Sequence, residues 1–313
     1  MTAAGIEVRG LSKTFGTVRA VDDLTFCVAA GAVTGFLGPN GAGKTTTLRM
    51  LLGLIRPDRG SATVAGASYR DIPAPPTVVG AALDASGFHP ARTGRAHLRV
   101  YCAVSGLAPQ RADEVLELVG LASAGGRRIG GYSLGMRQRL ALAVAMLGDP
   151  RVLVLDEPAN GLDPEGIVWM RRLLRDLAAQ GRTVLVSSHF LTEMQQLVDR
   201  VVIIDKGRLR FQGPVTELTG SQATVVEVRT SQSEQLHAAL AAHDGVDVES
   251  DGTDRLLISG SDAATVGHTA FAAGIELHWL SEQTGDLEHL FFALTSGAGA
   301  HGHRTSNASE VGV

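Results

Sequence analysis

The residues Gly38-Pro39-Asn40-Gly41-Ala42-Gly43-Lys44-Thr45 follow the pattern G-x-x-x-x-G-K-[ST], with Thr46 directly after it. Glycines in this spacing let the backbone bend so that its N–H groups converge on phosphate oxygens. The N-terminus of a following helix adds partial positive charge. Lys44 is suited to reach β- and γ-phosphates, and the Thr45 hydroxyl is suited to hold Mg2+. A second chemically capable pair, Asp156-Glu157, ends the apolar run Val152-Leu-Val-Leu. An acid at the C-terminal edge of a buried strand can enter a Mg2+ shell, and the next carboxylate can act on water as a general base. Phosphoryl transfer needs this combination, because it depends on positioning and charge stabilisation rather than covalent catalysis.

The elements that must position these groups are legible from periodicity. Val33-Thr-Gly-Phe-Leu reads as a short buried strand before the glycine-rich turn, and a helix is expected from about Lys44 to Leu52. Val152 to Asp156 is a continuous apolar strand of the parallel-sheet kind. A helix follows Pro164, then a strand over Thr183–Ser187, a helix over Phe190–Val198 and a strand over Val201–Asp205. Strands alternating with helices indicate an α/β domain with a parallel sheet. Ahead of them, Ile6-Glu-Val-Arg and Val21-Asp-Asp-Leu-Thr-Phe-Cys-Val alternate as half-buried antiparallel strands do. Ser61 to Val64 reads as another strand. Residues 93–147 look mainly helical, with breaks at Gly106-Leu-Ala-Pro109 and Gly125-Gly126.

Composition changes after Gly213-Pro214. Ala223-Thr-Val-Val-Glu-Val and Arg255-Leu-Leu-Ile read as strands, with helix-like stretches at 233–242 and 262–273. The expected organisation is therefore a first domain over residues 1–218, a small accessory α+β domain over 219–296, and a polar, glycine-rich, disordered tail over 297–313.

The 313 residues carry a net charge of −4, without the basic balance of a duplex-binding protein, so nucleic acid is not an expected partner. Cys27 and Cys102 have no metal or redox spacing around them and read as reduced thiols. No signal peptide is evident, and the apolar runs, such as Leu140 to Leu147, fall far short of the ~20 residues of a spanning helix. The expectation is a cytoplasmic protein.

Tyr132-Ser133-Leu134-Gly135-Met136-Arg137-Gln138-Arg139-Leu140, just before Asp156, resembles the signature segment of ATP-binding cassette (ABC) ATPases. It is most similar to the variant found in exporters of drugs and antibiotics, the daunorubicin- and bacitracin-export type. Other pieces follow in the family's order across residues 4 to 218. Asn160-Gly-Leu-Asp163 resembles the D-loop, Ser188-His189 the switch histidine, and Phe15 the aromatic that stacks on adenine. Leu287-Glu-His-Leu-Phe-Phe-Ala-Leu-Thr resembles the closing helix of that exporter branch.

The resemblance implies a P-loop NTPase fold, with an antiparallel β subdomain and a helical signature subdomain. It implies ATP and Mg2+ as cofactors, and an ATP sandwich formed with a second copy of the chain. Ser133 and Gly135, opening a helix that runs through Leu147, would close over the nucleotide of the other subunit, with Asp163 alongside. Glu157 and His189 would be the catalytic groups. Transport would run through a separate membrane permease, which would hold the subunit at the inner face of the membrane.

Two departures stand out. The common signature is Leu-Ser-Gly-Gly-Gln, whereas Tyr132, Leu134 and Met136 occupy its first, third and fifth positions here. Asp84 stands where the family has the Q-loop glutamine. It reads either as a Mg2+-binding carboxylate or as a plain turn residue. Residues 84–97 would face the permease in either case. Phe15 is read as a stacking platform or as packing. A soluble ABC ATPase of ribosomes or DNA, and an importer subunit, are the alternative functions.

Overall fold

A computed structural model describes residues 4–83, 87–189, 194, 196–220, 225–241, 245–250 and 254–283. Asp84, most of the expected Phe190–Val198 helix, the Leu287–Thr295 segment and the 297–313 tail lie outside the described residues.

The chain begins with a long hairpin, β1 (Ala4–Phe15) and β2 (Val18–Ala29), and β4 (Arg59–Val64) pairs antiparallel with the other side of β1. Between them come β3 (Val33–Leu37) and α1 (Lys44–Leu51). A single-turn α2 (Pro75–Val78) leads into β5 (Val79–Ala82). Three helices follow, α3 (Gly94–Val104), α4 (Arg111–Leu118) and α5 (Leu134–Met146). The chain then runs through β6 (Val152–Asp156), α6 (Pro164–Ala179), β7 (Thr183–Ser188), β8 (Arg200–Asp205), β9 (Arg208–Pro214) and α7 (Val215–Gly220).

The central sheet has the order β5-β6-β7-β3-β8-β9. Its first five strands are parallel, and β9 returns antiparallel along β8. Both faces are covered, which is why its strands read as unbroken apolar runs. In β6 the side chains alternate. Val152 and Val154 join the core beneath the antiparallel sheet, with Phe26, Phe36 and Leu48, while Leu153 and Leu155 join the core beneath the helices, with Leu98, Leu116 and Leu140.

After α7 comes a four-stranded antiparallel sheet, β11-β12-β10-β13, formed by β10 (Val225–Arg229), β11 (Asp247–Ser250), β12 (Arg255–Ser259) and β13 (Trp279–Gln283). α8 (Ser233–Leu240) and α9 (Ala263–Ala272) pack on it. This unit has its own apolar core, with Val226, Leu236, Leu256 and Val266 at its centre. Among the described residues no helix is long and apolar enough to cross a membrane.

Strands β5, β9, β11 and β13 were not evident in the sequence. The hairpin β8–β9 turns on Lys206 and Gly207, both with positive φ as a tight two-residue hairpin requires. β5 is Val-Gly-Ala-Ala, in which Gly80, Ala81 and Ala82 are poor strand formers held there by tertiary packing. The close approach of α5 explains the small residues, since a Cβ on Gly80 would collide with the Ala145 carbonyl oxygen. We expect Gly80→Ala to destabilise the fold by about 1–3 kcal/mol in denaturant unfolding. Gly126→Ala, where an added Cβ would meet open space, should lie within about 0.5 kcal/mol of the parent.

Candidate nucleotide-phosphate site

The site forms where the parallel strands end. β3 stops at Leu37, and the loop from Gly38 to Gly43 carries the chain into α1. Gly43 has φ 102°, a conformation open to glycine, and a Cβ there would strike the Ala20 carbonyl oxygen of β2. No side chain caps α1, so its first backbone N–H groups are left to a ligand. Inside the loop Ala42 N–H donates to the Pro39 carbonyl at 3.1 Å, and the Ala42 carbonyl accepts from Gly207 N–H at 2.9 Å. Asn40 and Gly41 are exposed, Gly38 and Ala42 buried, and Thr46 half-buried.

Lys44 is only 6% exposed. Its ammonium donates to the Gly38 carbonyl at 2.6 Å and to the Pro39 carbonyl at 3.3 Å, and lies 3.7 Å from Glu157 Oε1. Burial pushes the Lys44 pKa down, against the opposing pull of Glu157 and Asp156.

Thr45, the first residue of α1 after Lys44, donates its hydroxyl to Asp156 Oδ2 at 2.8 Å. A hydroxyl and a carboxylate thus converge from α1 and β6. Such hard oxygen donors fit Mg2+, which keeps waters and phosphate oxygens as its other ligands. Among the described residues there is no cluster of three or more His, Cys, Asp or Glu suited to a metal. The other oxygen of Asp156 accepts a hydrogen bond from Ser187 Oγ, because Asp156 and Ser187 stand in register on β6 and β7.

Glu157 follows with φ 49°, a left-handed conformation unfavourable for a residue with a Cβ. Its N–H donates to Ser187 Oγ at 3.0 Å. Its carboxylate meets His189 Nδ1 at 2.9 Å through Oε2, opposite the Lys44 contact. The structure therefore brings together Lys44, Thr45, Asp156, Glu157 and His189, from three separate stretches of chain.

Ser133, Gly135 and Asp163 form a second group. Ser133 caps α5 and accepts from Met136 N–H at 3.2 Å, so its own O–H proton remains available to an acceptor. Leu134 packs on Gly161, and a Cβ on Gly135 would sit 3.1 Å from the Gly161 carbonyl oxygen. Asp163 caps α6 through Gly166 N–H at 2.8 Å. Among the described residues none of these three hydrogen-bonds the 38–46 loop. Phe15 is 47% exposed at the end of β1, with the Lys13 ammonium 5.5 Å from its ring centroid.

Sequence reasoning missed Ser187 and Gln138. The signal for Ser187 was its position two residues before His189 at the end of a buried strand. Gln138 Nε2 donates to the Glu157 carbonyl at 3.3 Å, a contact between residues 19 apart that no local pattern encodes.

A sequence profile described as "ABC transporter" matches residues 21–160, and one described as a domain of unknown function matches residues 215–288. A bacitracin transport ATP-binding protein of Bacillus licheniformis is 36% identical, over 93% of this chain and 97% of its own length. A daunorubicin/doxorubicin resistance ATP-binding protein of Streptomyces peucetius is 36% identical, over 97% of this chain and 96% of its own length. A Nod factor export ATP-binding protein of Burkholderia lata is 38% identical, over 77% and 82%. Among solved structures, an ATP binding subunit of an ABC transporter superposes with a TM-score of 0.62 at 27% identity, covering 69% of this chain and 92% of that one. With a phosphate loop of this geometry and relatives matched along nearly their whole length, the chain belongs to the ABC transporter family, among its ATP-binding proteins.

Proposed function

We propose that this ATPase subunit drives export of a drug-, antibiotic- or lipid-like small molecule through a separate membrane permease. The observation that carries the ATPase half is the convergence of Lys44, Thr45, Asp156, Glu157 and His189 at one edge of the sheet. The export half is supported by relatives named for bacitracin transport, daunorubicin resistance and Nod factor export.

In this reading the 38–46 backbone and Lys44 bind the β- and γ-phosphates of ATP. Lys44 exchanges its carbonyl partners for phosphate oxygens. Thr45 and Asp156 would hold Mg2+, which supplies charge neutralisation on the phosphates. Glu157 orients the attacking water and accepts its proton, while His189 fixes the carboxylate and contacts the γ-phosphate. Phe15 offers its exposed ring to adenine. Ser133 and Gly135 of the partner subunit, with its Asp163 close by, close over the nucleotide, so that two copies of the chain enclose two ATP molecules. Residues 84–97, with Asp84 standing in the place of the Q-loop glutamine, face the permease. We assign residues 1–218 to the ATP-binding domain and 219–296 to an accessory domain. The separate apolar core after residue 225 supports that division.

Three outcomes are expected. Glu157→Gln should bind ATP with near-parental affinity but lose turnover by about a thousandfold, and accumulate as an ATP-bound dimer in size-exclusion chromatography. Turnover near that of the parent would remove Glu157 as the base. Lys44→Ala should weaken ATP binding at least ~10-fold by calorimetry, and unchanged affinity would sink its phosphate role. Tagged Glu157→Gln protein, pulled from native membranes with ATP and read by mass spectrometry, should recover a polytopic membrane protein. Recovery of ribosomal or DNA-repair proteins instead would overturn the transport half.

A further inference from the structure

Glu157 sits in a conformation that a residue with a Cβ adopts only when its surroundings enforce it. The enforcing contacts are visible on both of its peptide groups. On one side, Ser187 Oγ accepts from Glu157 N–H at 3.0 Å while donating to Asp156. On the other, the Glu157 carbonyl accepts from Asn160 N–H at 3.2 Å, within its own turn, and from Gln138 Nε2 at 3.3 Å.

Gln138 is not local to that turn. It lies on α5, five residues after Ser133, about 7.5 Å further along the helix axis. α5 is itself strapped down at this level. The Arg139 guanidinium lies 4.2 Å from the Trp169 ring centroid on α6 and donates to the Val119 carbonyl at 3.2 Å. The first turn of the helix and the backbone of Glu157 therefore belong to one stiff connection.

We infer that Gln138 is a positioning residue, which holds the Glu157 backbone so that its carboxylate aims at the water, and which links the setting of α5 to that aim. The inference rests on the proposed sandwich. There the first turn of α5 meets the nucleotide held by the partner subunit, while its second turn holds the general base of its own site. Occupancy of one site would then be felt by the catalytic carboxylate of the other, through a rigid helix and one hydrogen bond.

The test is steady-state ATPase kinetics on the full chain with Gln138→Glu, which keeps shape and loses the donor, and Gln138→Met, which keeps volume alone. Both should lower kcat about tenfold, the loss expected for one hydrogen bond placing a catalytic group, with ATP affinity unchanged. In the Glu157→Gln background, either change should still permit the ATP-trapped dimer. A kcat within about twofold of the parent would overturn the inference. So would a fall of kcat, ATP affinity and melting temperature together, which would mark a merely structural side chain. If Glu157→Gln alone fails to trap a dimer, the sandwich reading has failed instead, and the two failures are distinguishable.

Discussion

The site depends first on register. β3, β6 and β7 run parallel, with Val33 opposite Val184 and Val152 opposite Thr183, so all three end at one edge of the sheet. Slipping one strand by a residue would turn its buried side chains to the other face and carry Asp156 away from Ser187 and Thr45. Because both faces are packed, by Val152 and Val154 on one side and Leu153 and Leu155 on the other, such a slip is strongly opposed. The precision of the phosphate site is inherited from apolar residues that touch no ligand.

On that frame the charges are arranged in a chain. The Lys44 ammonium is buried against two backbone carbonyls and the Glu157 carboxylate, whose other oxygen meets His189. Burial disfavours the charged lysine and the nearby carboxylates favour it, so Lys44 is held in tension between the two. A triphosphate entering the loop would add negative charge and charged acceptor oxygens in place of the neutral carbonyls this desolvated ammonium now meets. In the proposed reading, the same event would draw Lys44 from Glu157 and leave the carboxylate facing water.

Much of this was legible in the residues. The loop from Gly38 to Thr46 and the acids at 156 and 157 speak through local spacing, because a turn, a helix start and a strand end are local events. The central strands β3, β6, β7 and β8 were readable as apolar runs for the same reason. What escaped reading was set by tertiary context. β5 carries Gly80 where α5 passes close above it, and its run of Gly-Ala-Ala does not announce a strand. Asp163 caps α6 through Gly166 N–H, a duty that its D-loop motif does not announce. Gln138 meets Glu157 across a helix-to-strand contact, which periodicity does not record.

The order of strands also has a consequence for synthesis. β3 lies between β7 and β8, both of which follow it by about 150 residues or more. At translation speeds of about 5–20 residues per second, the ribosome delivers the neighbours of β3 about 8–30 s after β3 itself. During that interval the phosphate loop has no sheet edge to sit on, and the antiparallel hairpin β1–β2 is the structure at hand to shelter Phe36 and Leu48. The nascent chain would thus carry the motif long before it could grip a nucleotide, and competence would wait at least for β7, which brings Ser187 and His189 to Asp156 and Glu157.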